Sequence, residues 1–428
     1  MQQSVSDSIL QKKLIKHNRL DALLALRGLA CLMVVTFHCN PPRNSIIYHG
    51  FDLSWLTFSH GAVAVWIFFS LSGYLIGKAF YAERYTPDVP GAINFWRNRA
   101  IRIFPLYYFA VLILSIFVYP EALKIENWGY LIRVCTFTYQ PHFGSQNIVF
   151  DGVLWSLSTE IQFYILVPFI FNFFRVCLFR QRQVALTFVF IVLAIFFFKC
   201  ITWFSFRHQI AEQIEYVFKY WYTPLINSLD IFLGGFLVNA FIKYQKPKLE
   251  ELENITHSRQ PIILPKSTAK YIALILLILL YLFTANHLYH QELWGLPSRP
   301  SGWRTSTTIF ILQPLTAIIV SFFIFAFESD RYDDFTRNEK LSFAAILKNP
   351  LRILEVLGNL SYGIYIWHVP IMNKILPIFT SNIPIEAFYT RLTVTLVLST
   401  TLAVVTYYLV EIPASQWKIY RQSQNARE

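Results

Sequence analysis

Arg27 and His38 lie in one apolar run, Arg27-Gly28-Leu29-Ala30-Cys31-Leu32-Met33-Val34-Val35-Thr36-Phe37-His38. The offset between them is close to three helical turns. Both side chains therefore share a helix face, roughly 16 Å apart along the axis. That is about half the thickness of a bilayer core, where ionisable groups are costly and mark functional sites. The competing reading is a topology anchor at Arg27 and an ordinary core histidine at His38.

Four more titratable residues stand in apolar surroundings: His60, Glu160, Asp230 and His368. A histidine beside a carboxylate makes a general base, because the carboxylate fixes the tautomer and stabilises the imidazolium. His60 and Asp230 are equally readable as polar glue between helices. Arg99 and Arg102, three apart in Arg97-Asn98-Arg99-Ala100-Ile101-Arg102, share one helix face. Guanidinium groups bind phosphate bidentately, so with Arg27 they could clamp a phosphorylated ligand. Headgroup contact is the alternative for these arginines. No G-x-S-x-G elbow is present, which argues against a serine nucleophile.

The elements that must position these groups follow from composition. Hydrophobic residues make up 55% of the 428 and charged residues 14%, with a mean hydropathy of +0.43. Soluble domains carry about 25% charged residues. The chain is thus expected to be an all-α polytopic membrane protein. Apolar runs predict about ten transmembrane helices, over 22–38, 60–80, 101–119, 153–174, 184–204, 224–243, 269–287, 307–327, 356–379 and 390–412. With both termini cytoplasmic, 26 of the 37 Lys and Arg fall in inside segments and nine in outside loops. That bias obeys the positive-inside rule. The net charge of +12 is therefore read as topology and not as nucleic-acid binding. His38, His60, Glu160, Asp230 and His368 then all fall in the outer half of the bundle, and the arginines nearer the inner side.

The five cysteines include no C-x-x-C pair, and neither a disulfide framework nor a metal site is expected. No cleavable signal peptide is expected at the polar, basic N-terminus. The stretch 127–139 is apolar but too short to span and is expected at the interface or against the protein. The sequon at Asn254 falls in an inside loop and is discounted. The expected organisation is a cytoplasmic segment over 1–19, a membrane domain over 20–415 and a cytoplasmic tail over 416–428.

Taken in order, these segments resemble acyltransferase family 3, a family of integral-membrane acyltransferases. The resemblance rests on Leu20-Asp21-Ala22-Leu23 through Arg27-Gly28-Leu29-Ala30 to His38, on Phe68-Phe69-Ser70-Leu71-Ser72-Gly73-Tyr74-Leu75, and on Phe95-Trp96-Arg97 through Ile103-Phe104-Pro105-Leu106-Tyr107. It continues in Leu154-Trp155-Ser156-Leu157-Ser158-Thr159-Glu160-Ile161-Gln162-Phe163-Tyr164, in Gly358-Asn359-Leu360-Ser361-Tyr362-Gly363 to His368, and in Val410-Glu411-Ile412-Pro413. The family's arginine–histidine signature falls on Arg27 and His38, and its R-x-x-R on Arg99 and Arg102. Thr159 departs from the family, which often has a second acidic residue there.

The resemblance implies an O-acyltransferase that moves an acyl group, acetyl by preference, from cytoplasmic acyl-CoA to a sugar hydroxyl of a cell-surface glycan, lipid-linked glycan or glycoside. Arg27, Arg99 and Arg102 would hold the CoA phosphates. His38 would be the general base, oriented by Glu160, with an acyl-histidine as the runner-up mechanism. His368, His60 and Asp230 would line the acceptor side. Expected partners are acyl-CoA, a carbohydrate or glycolipid acceptor and the lipid bilayer, in a bacterial cytoplasmic (inner) membrane. No metal and no nucleic acid are expected, and a homo-oligomer is left open. Some members carry a C-terminal esterase-like domain; this chain is expected to act as a stand-alone member. Two other functions stay open: a proton-coupled transporter of a glycan precursor or export product, and an acyl relay to a separate transferase.

Overall fold

The computed structural model describes residues 20–139, 152–212, 218–222, 224–245, 266–290, 307–329 and 343–416. The expected segment 1–19, the tail beyond 416 and the Asn254 sequon lie outside them. Among the described residues, the fold is all-α apart from one two-stranded hairpin, Ile47–Tyr48 (β1) paired with Phe51–Asp52 (β2). The helices are α1 (Ala22–His38), α2 (Gly61–Tyr81), α3 (Val89–Ile113), α4 (Trp128–Cys135), α5 (Leu154–Cys177), α6 (Gln181–Glu212), α7 (Leu229–Lys243), α8 (Lys266–Tyr289), α9 (Gln313–Glu328), α10 (Phe343–Lys348), α11 (Ile353–Ile375) and α12 (Pro384–Thr406).

All ten predicted runs fall on helices. Among the described residues, eight helices are long and apolar enough to cross a membrane. The other two are α1 and α11. The first has only 17 residues. The second turns a polar, buried face of Glu355, Ser361 and His368 inward, which lowers its apolar character although it has 23 residues. These two helices pack closely against each other, and both carry candidate residues. The short stretch after Asn127 forms α4, which lies against α3: the Tyr107 hydroxyl donates to the Val134 carbonyl at 2.8 Å.

Local signals start the helices. The Asp21 carboxylate caps α1, accepting from the Leu23 and Leu24 amides at 3.2 Å. Asp88 caps α3, accepting from the Gly91 amide at 2.8 Å, with Pro90 in the first turn. The buried centre is built on α2 and α7, while α6 turns Phe190, Phe197 and Phe204 outward. Lipid is the natural solvent for such a face.

Small residues let backbones meet. A Cβ on Gly28 would lie 1.9 Å from the Leu354 carbonyl oxygen, and one on Gly358 would lie 2.1 Å from that of Leu24. Only glycine permits this contact between α1 and α11, the membrane-helix use of small residues. Four rungs show that the pair runs parallel. The Asp21 amide donates to Glu355 at 2.6 Å. The two glycines meet next, then Arg27 Nε donates to Ser361 Oγ at 2.7 Å. His38 meets His368 at the far end. Arg27 and His38 thus share a helix whose register is fixed against one partner.

Candidate active site

A cavity of about 120 Å³ opens within the bundle where α1, α2, α3, α5 and α11 converge with the end of the last helix. Arg27, Arg99 and Arg102 all line it, together with Glu160 and Glu411. The predicted arginine clamp is therefore one site, although its members lie on two helices. Arg27 is held by Ser361, whose own hydroxyl donates to the Gly358 carbonyl at 2.9 Å. The Arg99 guanidinium lies over the rings of Phe95 and Tyr164, 5.7 and 5.6 Å from their centroids. Among the described residues, Arg99 and Arg102 make no hydrogen bond or ion pair. Arg99 is half-buried and Arg102 exposed, and guanidinium groups that line a cavity without an ion-pair partner are chemically able to take an anion there.

Glu160 belongs to this cavity and not to the histidines. Ser72 Oγ donates to its carboxylate at 2.6 Å and the Tyr164 hydroxyl donates to the same oxygen. The expected Glu160–His38 pair is not formed. The reason is helical register on α5. Ser156, Glu160 and Tyr164 are spaced four apart on one face, and Ser156 reaches Tyr365 at 2.6 Å, one turn below His368 on α11. Glu160 therefore lies a turn deeper, at the level of the arginines, whereas His38 is the last residue of α1.

His38 instead pairs with His368. Nε2 of His368 lies 3.2 Å from Nδ1 of His38. His38 Nδ1 is also 2.9 Å from the Val34 carbonyl, and His368 Nδ1 is 2.8 Å from that of Tyr365. Carbonyls only accept, so each neutral ring carries its proton on Nδ1. The His38 N–H is then shared between Val34 and the lone pair of His368, and His38 Nε2 is left as a base. Protonating it would give an imidazolium whose Nδ1–H already faces two acceptors. His368 thus takes the place that the carboxylate holds in the expected pair.

Neither histidine lines the cavity. Tyr365 does, and its ring lies 5.6 Å from that of His368. Phe68 connects the same wall to the arginines: its ring is 6.2 Å from Tyr365 and 6.0 Å from the Arg27 guanidinium.

The two remaining candidates stand apart from this cavity. Asp230 is buried beside Lys199, at 3.9 Å, and accepts from Gln313 Nε2 at 3.0 Å. Those contacts join α6, α7 and α9, which is the glue reading. His60 precedes α2 and stacks on His287 with ring centroids 6.5 Å apart.

Sequence reasoning does not single out Ser72, Tyr164, Ser361, Tyr365 or Glu411. Helical spacing from residues already chosen reaches three of them. Tyr164 is one turn from Glu160, while Tyr365 and Ser361 are one and two turns before His368. Ser72 and Glu411 stand in segments with no such neighbour.

The fold and the site define a multi-pass helical membrane protein with an arginine-lined cavity inside its bundle. The chain belongs to the acyltransferase family whose model is described as an acyltransferase domain and matches residues 20–409. Among curated proteins it is 24% identical over 413 residues to the O-acetyltransferase OatA of Staphylococcus aureus, covering 94% of this chain and 58% of that protein. The putative peptidoglycan O-acetyltransferase YrhL of Bacillus subtilis is 24% identical over 416 residues, covering 93% and 55%. The peptidoglycan O-acetyltransferase OatA of Listeria monocytogenes is 29% identical over 174 residues, covering 37% and 25%. The chain thus spans less than two thirds of the length of these relatives. No solved structure matches it.

Proposed function

We propose that this chain is a membrane O-acyltransferase that takes an acetyl group from acetyl-CoA at the cytoplasmic face and places it on a sugar hydroxyl of a cell-envelope glycan. One observation carries the reading. Arg27, Arg99 and Arg102 converge on a cavity whose wall, through Phe68 and Tyr365, leads to the paired His38 and His368. The relatives named as O-acetyltransferases support the same chemistry.

In this reading the CoA phosphates sit on the guanidinium groups, where bidentate contacts are available. The pantetheine arm runs along the α1–α11 seam. The offset of roughly 16 Å between Arg27 and His38 suits an elongated carrier. His38 Nε2 takes the proton of the acceptor hydroxyl as its oxygen attacks the thioester carbon. The carbon–sulfur bond breaks, and the thiolate leaves with the proton that His38 returns. Proton transfer of this kind contributes about 10²–10⁴-fold. His368 orients the base and supports its charged form. Glu160, held by Ser72 and Tyr164, shapes the donor cavity. His60 and Asp230 keep structural roles. The protein acts in a bacterial cytoplasmic membrane, with acyl-CoA and a carbohydrate or glycolipid as its ligands.

Purified protein in lipid nanodiscs, incubated with labelled acetyl-CoA and candidate glycans, tests this. Label on the glycan is the expected result. Label on the protein alone makes it an acyl relay. Neither, with glycan uptake into vesicles, makes it a transporter.

A further inference from the structure

The donor cavity holds two carboxylates as well as three guanidinium groups, and the two are held differently. Glu160 is satisfied by the hydroxyls of Ser72 and Tyr164. Glu411 closes the π-turn Tyr407–Glu411 at the end of α12 and reaches the cavity half-buried. Among the described residues it has no hydrogen bond and no close ion pair. The cations that act on it are Arg102 and Arg27, two of the proposed phosphate ligands. A half-buried carboxylate without a partner, facing guanidinium groups that also lack one or nearly so, is not there to tie helices together.

We infer that Glu411 is a fixed counter-charge that weakens the cavity's hold on the carrier's phosphates, so that spent CoA leaves after transfer. The inference rests on the reading of the arginines as the donor's seat. Acyl-CoA and CoA carry the same phosphates, so guanidinium groups cannot tell substrate from product. Binding both equally tightly helps neither turnover nor release. With Glu160 as the sole carboxylate against them, three arginines around one cavity would hold the product's phosphates more tightly, because opposite charges attract strongly across a partly buried site. A carboxylate set against Arg27 and Arg102 lowers that retention and takes part in no bond making or breaking. Glu411 is therefore a tuning residue and not a catalytic one.

The test looks for a gain of affinity, which misfolding cannot mimic. CoA binding, acetyl-CoA turnover and inhibition by CoA are measured on the full chain in nanodiscs, for wild type, Glu411→Gln and Glu411→Asp. Glu411→Gln is expected to bind CoA about tenfold more tightly. It should also lower the KM for acetyl-CoA, lower kcat and turn CoA into a strong product inhibitor. Binding of pantetheine, which lacks the phosphates, should not change. Glu411→Asp should behave as wild type. Glu411→Ala replaces the Gln variant if that one does not fold. Wild type that binds CoA, with neutral variants that bind it no better, overturns this inference alone. Wild type that neither binds CoA nor uses acetyl-CoA overturns it together with the reading beneath it.

Discussion

His368 Nε2 lies 3.2 Å from His38 Nδ1, across the seam between α1 and α11. The Val34 and Tyr365 carbonyls fix the proton on Nδ1 of each ring, which leaves His38 Nε2 as the free base. The imidazole pair thus replaces the imidazole–carboxylate pair that the residue types suggest. It also separates His38 from the arginine cavity, where Glu160 stays with the arginines.

Removing the base tests the first half of this arrangement. His38→Ala is expected to reduce acetyl transfer by at least about 10²-fold while CoA still binds. His368→Ala should reduce kcat by a smaller factor without changing the KM for acetyl-CoA. Steady-state kinetics with a binding titration on each variant gives both numbers. Normal turnover by His38→Ala would remove the base.

Glu160→Gln tests where the carboxylate acts. Its partners are Ser72 and Tyr164, and Arg99 lies over the Tyr164 ring. The substitution should therefore change the KM for acetyl-CoA more than kcat. A fall in kcat as large as that of His38→Ala, at unchanged KM, would return Glu160 to the base.

The arginines make a separate prediction. Arg99→Ala and Arg102→Ala should each raise the KM for acetyl-CoA and weaken CoA binding about tenfold or more, since a hydrogen bond to a charged group contributes about 1.5–3 kcal/mol. Neither substitution should abolish transfer at saturating donor. An unchanged donor requirement would make that arginine a topology signal only.

Backbone contact between α1 and α11 is the fourth point. A Cβ at Gly28 would meet the Leu354 carbonyl oxygen at 1.9 Å, so Gly28→Ala must push the helices apart. Overpacking of this kind costs about 1–3 kcal/mol. The variant is expected to unfold at lower temperature and to lose kcat beyond its loss of folded protein, because the same seam carries the His38–His368 pair. Wild-type thermal stability would show that the seam can yield.

Much of this arrangement is legible in the amino-acid sequence. Apolar runs locate the helices because each membrane helix must satisfy its own backbone and so leaves a long, readable pattern. The spacing of Arg27 to His38, and of Arg99 to Arg102, puts the right side chains on shared faces. Pairing between distant helices is not legible. Whether Glu160 meets His38 on α1 or Ser72 on α2 depends on how deep α5 sits and how it is rotated, and its own sequence is compatible with either. Likewise, Asp230 and Lys199 say little singly and become a buried pair only when α6 meets α7. The count of spanning helices is blurred for a related reason: α11 spends its polar residues on α1, so hydropathy undersells it.

An experimental structure of the protein with a non-hydrolysable thioether analogue of acetyl-CoA tests the central claim most directly. Phosphates on Arg27, Arg99 and Arg102, the pantetheine arm along the α1–α11 seam, and the thioether sulfur beside His38 Nε2 are the expected result. An analogue bound elsewhere, or His38 turned to lipid with no passage from the arginine cavity, would contradict it.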